Sequence, residues 1–342
     1  MADERRWLIY GLTLTVALAV LDLTTGDGVN FTAVYFLGAL LAASQCPPRP
    51  TAAVAAFGLA CTVVITAVLE LGTATVVVRA LLASVGGSLC VLFADRRVRR
   101  EARLASVERV AEVAQRALLT TVPDEVAGIA FAARYESATE GARIGGDLYE
   151  VIPTDRDRVR ILVGDVCGHG LPAVRLAAAT LAAFREAAVV CKDLEDAARL
   201  VDHRLQPQLV DDEFVTAVLA EFGPDGTLTI VNCGHPAPLI VGSDGRHRLP
   251  AGGSTSPLGV GPAPQADDQQ VDAGDRILFY TDGLIEGRTS SGRGIAVESF
   301  SPLIPGGTLA DALERVLTSL HEQVGTLEDD LALLLAEIRD TG

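Results

Sequence analysis

The sequence predicts an all-α membrane half followed by a water-soluble α+β half built on antiparallel sheet. Three observations carry this reading. Charge and apolarity segregate along the chain, apolar stretches near the N-terminus match a bilayer in length, and the remainder alternates short β-rich runs with separate helical blocks. Hydrophobic residues make up 49% of the 342, yet the formal net charge is −16. Of the 44 acidic and 28 basic residues, residues 1–94 hold only 5 (Asp3, Glu4, Asp22, Asp27, Glu70) and 4 (Arg5, Arg6, Arg49, Arg79). That leaves 39 acidic and 24 basic residues for 95–342, a net of −15. Such a chain is neither disordered, nor a disulfide scaffold, nor a simple secreted enzyme. Its acidic soluble half repels phosphates, so nucleic acid is not an expected partner. The six cysteines show no CxxC or Cys/His zinc spacing and read as reduced thiols.

The first elements are four apolar stretches, 7–23, 29–46, 51–71 and 73–93, of 17 to 21 residues each. Each is close to the ~20 residues that cross a hydrocarbon core. Arg5, Arg6, Arg49 and the cluster Arg96, Arg97, Arg99, Arg100 and Arg103 flank one side, while Asp22, Asp27 and Glu70 flank the other. The positive-inside rule therefore places both termini in the cytoplasm, on a multi-pass cell-membrane protein. Arg79, near the start of the fourth stretch, reads as snorkelling to the outer interface. Domain boundaries follow: a membrane domain over 1–94, a connecting helix over 95–120, and a soluble domain over 121–342. The connector lacks Gly and Pro, and Leu104, Val107, Ala111, Ala114 and Leu118 recur at spacings of 3, 4, 3 and 4. That a/d seam would let two protomers pair as a homodimer, or pack as one amphipathic helix on the following domain.

After Pro123 the pattern predicts strands at 129–135, 147–152, 159–165, 215–222, 228–232, 238–241, 276–281 and 331–338. Helices are expected at 172–191, 194–209 and 309–324, and 250–264 reads as a long loop. Carboxylates sit at the ends of these strands beside glycine. Gly145-Gly146-Asp147 opens one strand, Gly164-Asp165-Val166-Cys167-Gly168-His169-Gly170 follows another, Thr281-Asp282-Gly283 ends a third, and Glu328-Asp329-Asp330 precedes the last. A carboxylate at the end of a buried strand is rigidly held, and glycine lets backbone approach a ligand. Gathered together, such groups repel unless cations neutralise them, and an all-oxygen ligand set selects Mg2+ or Mn2+.

These motifs resemble those of the PPM/PP2C metal-dependent protein serine/threonine phosphatases, in the bacterial SpoIIE and Rsb branch. The resemblance runs from about Gln115 to Arg339. It rests on QRALL at 115–119, Ala133-Arg134-Tyr135, GGDLYE at 145–150, GDVCGHG at 164–170 and Asn232-Cys233-Gly234-His235-Pro236. It continues through Pro257-Leu258-Gly259-Val260, GDRILFYTDGLIE at 274–286 and Asp329-Asp330-Leu331. The resemblance implies a four-layer αββα sandwich and a centre of two Mn2+ or Mg2+ ions. Asp165 would bridge the ions, the Val166 carbonyl would bind one, Asp282 and Asp329 would complete the second-metal side, and Asp147 would bind directly or through water. Asp165 and Asp282 are thus the catalytic carboxylates, and a metal-activated water would attack the phosphoserine or phosphothreonine phosphorus in line. The implied substrate is a phosphorylated regulatory protein of the anti-sigma-factor-antagonist class. Glu150 stands where the family usually has Asp, and Cys233 where it has Ala. His169 and His235 read as structural, and Asp330 as a neighbour that orients its loop. The competing reading is a membrane sensor or scaffold that binds a regulator without turnover, and Mn2+-dependent phosphate release separates the two.

Overall fold

The computed structural model describes residues 2–25, 35–119, 121–137, 145–154, 158–210, 212–287, 294–324, 327 and 329–339. The chain forms two compact units, Met1–Ser106 and Val107–Gly342.

The first unit is helical: α1 (Ala2–Thr25), α2 (Phe36–Ala43), α3 (Pro48–Val68) and the larger part of α4 (Thr73–Leu118), whose last residues belong to the second unit. Among the described residues, three helices are long and apolar enough to cross a membrane, over Glu4–Thr24, Pro48–Val68 and Thr73–Gln115. The second apolar stretch of the sequence is helical over α2, and its residues 29–34 lie outside the described set. The fourth stretch and the connector form one helix, α4, because nothing from 73 to 118 interrupts it except the glycine pair Gly86 and Gly87, which helix–helix packing accepts.

Polar contacts mark the two ends of this unit. At one, the Arg97 guanidinium donates to the carbonyls of Ser44 (2.8 Å) and Cys46 (3.0 Å), and the Cys46 thiol lies 3.4 Å from the Glu4 carbonyl. At the other, the Tyr35 hydroxyl donates to Asp22 Oδ2 at 2.7 Å, and Arg79 Nη1 stands 3.9 Å from the same oxygen. Arg79 therefore does not snorkel. Its side chain is 12% exposed and turns inward to a buried carboxylate, because an ion pair is cheaper than a lone charge beside hydrocarbon. Arg79 and Arg97 are separated by 18 residues of α4, roughly 27 Å and five turns, so they leave the helix on one face about a hydrocarbon core apart.

The second unit follows with β1 (Glu125–Val126), β2 (Ile129–Glu136), β3 (Leu148–Thr154), β4 (Arg158–Val166), α5 (Leu171–Val190) and α6 (Leu194–Leu205). Then come β5 (Val215–Phe222), β6 (Thr227–Cys233), β7 (Leu239–Val241), β8 (His247–Arg248), β9 (Ala266–Gln270) and β10 (Arg276–Tyr280). The chain finishes with α7 (Gly283–Glu286), α8 (Leu309–Val324) and β11 (Leu331–Ile338). The strands build two antiparallel sheets, ordered β1-β2-β11-β10-β7-β8 and β3-β4-β5-β6-β9.

Three apolar cores separate four layers. Leu162 of β4 and Val215, Ala217 and Leu219 of β5 face α5 and α6, burying Leu176, Phe184 and Val201. The alternate residues Ile161, Val163, Val218 and Ala220 point the other way, into a core shared with Ile277, Phe279, Ala332 and Leu334 of the second sheet. Leu278, Leu331, Leu333 and Leu335 then face α8, against Leu313, Val316 and Leu320. Both faces of each central strand are buried, which is why these strands read as unbroken apolar runs. The order helix, sheet, sheet, helix is the αββα sandwich that the resemblance implies.

Each helical layer is tied to its sheet by a buried arginine. Arg160 of β4 donates to Glu221 Oε2 of β5 at 2.5 Å and to the carbonyls of Cys191 (3.0 Å) and Lys192 (3.1 Å) beyond α5. Arg276 of β10 donates to Glu337 Oε2 of β11 at 2.5 Å and to the carbonyls of Ile304 (2.8 Å) and Gly307 (2.7 Å). Two local departures from expectation have simple causes. The helix expected to reach residue 209 ends at Leu205 and tightens into a 3-10 turn over Gln206–Gln208, because Pro207 has no N–H to continue the ladder. Strand β9 reads ADDQQ, residues depleted in strands, and forms by edge pairing with β6.

Candidate metal centre

The acidic motifs converge at one end of the sandwich. Asp147 immediately precedes β3, Asp165 is the penultimate residue of β4, and Asp282 stands just before the short helix α7, after β10. One carboxylate oxygen from each of the three lies within 4.8 Å of the others. Glycine makes the approach possible. A Cβ at Gly146 would stand 2.4 Å from Val166 Cβ and 2.7 Å from the Val166 carbonyl oxygen, and one at Gly283 only 2.2 Å from the Asp330 carbonyl oxygen. Only glycine lets the first sheet's strand entry graze the Val166 backbone and the Asp282 turn graze the Asp330 loop.

A hydrogen-bond frame holds the carboxylates. The Thr281 hydroxyl donates to Asp147 Oδ2 at 2.7 Å and accepts the Ala332 N–H at 2.9 Å, so one buried threonine links Asp147 to β10 and β11. Asp330, buried beside the exposed Asp329, accepts from the Tyr135 hydroxyl and from the Gly145 N–H at 2.9 Å. It thereby fixes the start of the Gly145–Asp147 segment, consistent with an orienting role. The Asp330 N–H in turn donates to Asp329 Oδ1 at 2.8 Å. Thr281 and Tyr135 stand inside motifs of the sequence without a role assigned to them, and Thr216 stands outside the motifs altogether. Thr216 is betrayed by its register opposite Asp165, and Thr281 by standing next to Asp282 in the chain.

The electrostatics are those of crowded acids. Burial, then repulsion from Asp282 and Asp329, lifts the Asp165 carboxyl to about 7. Burial, then Glu286 and Asp329, lifts Asp282 to about 6. Burial and the charge of Asp165 push Asp147 well above the usual carboxylate range, and burial raises Asp329 as well. Three carboxylates that resist ionisation together, with no arginine or lysine among the causes of their shifts, form a donor set suited to a hard divalent cation. Asp329 stands outside the trio, although its charge acts on Asp165 and Asp282.

The remaining candidates take other roles. Glu150 is buried and accepts from Arg185 at 2.7 Å, joining β3 to α5 rather than reaching the acidic trio. His169 is exposed, and among the described residues no hydrogen bond holds its ring, so it does not brace the glycine turn as expected. His235 is buried within the frame. Glu328 lies outside the described residues.

Comparison with known proteins agrees with this geometry. The phosphoserine phosphatase RsbP of Bacillus subtilis (strain 168) is 25% identical over 215 residues, covering 60% of this chain and 51% of that one. The chain thus spans about half the length of that relative. The structure of the RsbU and RsbW domains of Rv1364c from Mycobacterium tuberculosis superposes with a TM-score of 0.53 at 29% identity, covering 63% of this chain and 61% of that one. The SiaA-PP2C domain of Pseudomonas aeruginosa shares the fold, with a TM-score of 0.58 at 19% identity over 71% of this chain and 99% of that one. The family model for stage II sporulation protein E matches residues 155–339, from the approach to β4 to the end of β11. With more than half of its length matched by that model and its acidic trio set in the αββα frame, the chain belongs to the SpoIIE family.

Proposed function

We propose that the chain is a membrane-anchored, metal-dependent protein serine/threonine phosphatase. It removes phosphate from a phosphoserine or phosphothreonine of a regulatory protein, of the anti-sigma-factor-antagonist class. The observation that carries the reading is the trio Asp147, Asp165 and Asp282, gathered at the mouth of the sandwich with raised proton affinities. Family membership and the likeness to a phosphoserine phosphatase support the same chemistry.

Two Mn2+ or Mg2+ ions would be held by Asp147, Asp165, Asp282 and Asp329 with the Val166 carbonyl. Bound there, the cations supply an activated water and neutralise the phosphoryl oxygens. The chain's own residues prepare the site. Thr281 orients Asp147 through its hydroxyl, and Asp330 holds Gly145 so that the Asp147 segment meets β4. The helical unit acts as the anchor over residues 1–94, with 95–120 as connector and 121–342 as catalytic domain in the cytoplasm. Glu4, Cys46 and Arg97 sit together at one end of that unit, which supports a cytoplasmic face rich in arginine. Of the a/d seam, Leu104 and Val107 are exposed on α4, which supports pairing of two protomers through that part of the connector, whereas Ala111 is buried.

The test uses the full chain in detergent micelles with a phosphoserine peptide and a phosphorylated antagonist protein. Phosphate release is expected with Mn2+ or Mg2+ and not in EDTA. Asp282→Asn is expected to lower turnover by about 100-fold or more, since even partners of metal ligands are worth 10- to 100-fold. Full turnover in EDTA, or in Asp282→Asn, overturns the reading.

A further inference from the structure

His235 occupies a place that no acidic motif explains. It follows β6 in a turn whose backbone is gripped on both sides by Asn232: the His235 N–H donates to Asn232 Oδ1 at 2.9 Å, and Asn232 Nδ2 donates to the His235 carbonyl at 2.7 Å. The ring is 5% exposed. Its Nε2 lies 3.1 Å from the Tyr280 carbonyl oxygen and its Nδ1 3.0 Å from Thr216 Oγ1. A carbonyl can only accept, so Nε2 carries the proton, and Nδ1 accepts the Thr216 hydroxyl. Burial keeps the imidazole neutral, with its pKa drawn down to about 4.

The two partners belong to different sheets. Thr216, on β5, is the register partner of Asp165 on β4, and its hydroxyl oxygen also lies 3.3 Å from the Asp165 carbonyl. Tyr280 ends β10, two residues before Asp282. One neutral ring therefore joins the strand ends that carry two of the three converging carboxylates. We propose that His235 is a positioning residue of the metal centre: by bridging Thr216 and the Tyr280 carbonyl it sets the separation of Asp165 from Asp282, and with it the affinity for the cation. A ring with no charge suits this task, because it holds the sheets together without competing for the ligands as a carboxylate would or repelling the cation as a protonated base would. The inference rests on the metal-dependent reading above.

The experiment measures Mn2+ binding to the full chain in detergent micelles by titration calorimetry, without substrate, and separately the turnover at saturating Mn2+. His235→Phe keeps ring volume and removes both hydrogen bonds. It is expected to weaken Mn2+ binding by about 10- to 100-fold, the usual cost of losing a partner that orients a ligand, while turnover at saturating metal changes far less. Thr216→Val removes the bond to Nδ1 together with the contact of the hydroxyl with the Asp165 carbonyl and should also weaken binding, and the double variant should weaken it by less than the product of the two single effects. Wild-type Mn2+ affinity in a His235→Phe chain whose buried Cys233 stays protected from thiol reagents overturns the proposal. Should that variant fail to fold, wild-type affinity in Thr216→Val does the same. Asp165→Asn is the control: if it binds Mn2+ as the wild type does, the metal-centre reading fails, whatever His235 does.

Discussion

Replacing Asp165 by asparagine should make the metal-free protein more stable while destroying its metal site. The free carboxyl is lifted from 3.8 to about 7 in the folded state. Below pH 3.8 it is protonated in both folded and unfolded chains and costs nothing. As pH rises toward 7, the unfolded chain releases the proton and the folded chain keeps it, so folding stability falls. Above pH 7 both are ionised and the loss is complete. A shift of about three units at 1.36 kcal/mol each amounts to about 4 kcal/mol at most, shared with the other members of the crowded trio. Asn removes that cost and keeps an oxygen of the same size. The assay is pulse labelling of Cys233, a fully buried thiol of the helix-facing core, in EDTA across a urea series at pH 5 and pH 8. At pH 8, Asp165→Asn should resist labelling to higher urea than the wild type by roughly 1–4 kcal/mol, and at pH 5 the gap should shrink. Mn2+ should then stabilise the wild type, by about 2.7 kcal/mol at a hundredfold excess over its dissociation constant, and not the variant. A variant no more stable than the wild type in EDTA at pH 8 would refute the account of the acids as mutually repelling.

Other expectations follow from particular contacts. Thr281→Val deletes the hydroxyl that binds Asp147 and should weaken Mn2+ binding by about 10- to 100-fold, read by calorimetry on the full chain. Glu221→Leu leaves the Arg160 guanidinium buried without its carboxylate, and should cost about 3 kcal/mol in the urea midpoint of Cys233 labelling with Mn2+ affinity preserved. For the membrane unit, a cysteine placed at Gly72, before α4, should react with an impermeant thiol reagent on intact cells. The native exposed Cys167 should react only after permeabilisation, and the reverse pattern would overturn the topology.

Much of the catalytic fold is written in local pattern. Strands at 215–222 and 331–338 and the helix at 309–324 stand where the sequence puts them, since an apolar run bounded by turn residues admits few readings. The polar strand β9 was hidden because its pairing with β6, rather than its own residues, makes it a strand. The site divides the same way. Asp-Gly steps at strand ends are visible in one dimension. By contrast, Thr281 reaching Asp147 across 134 residues, or His235 linking two sheets, depends on how the layers stack. Arg79 departs from its sequence expectation for a related reason: its partner Asp22 belongs to another helix, so the charge stands alone in the sequence.

The two arginine ties described in the fold have a mechanical consequence. Arg160 lies five residues before Asp165 on the same strand segment, and Arg276 six residues before Asp282, about 17–20 Å at the rise of a strand. Each ion pair therefore fastens one sheet to its own helical layer at the end remote from the acids, and like charges repel across the two sheets at the other end. Each half of the sandwich is thus stiffened by its own guanidinium far from the acids, while the end where Asp165 of one sheet meets Asp282 of the other is the part that a cation would draw together. Hydrogen exchange should sense this asymmetry: removing metal should loosen the amides around Val166 and Tyr280 and leave those beside Arg160 and Arg276 as slow as before.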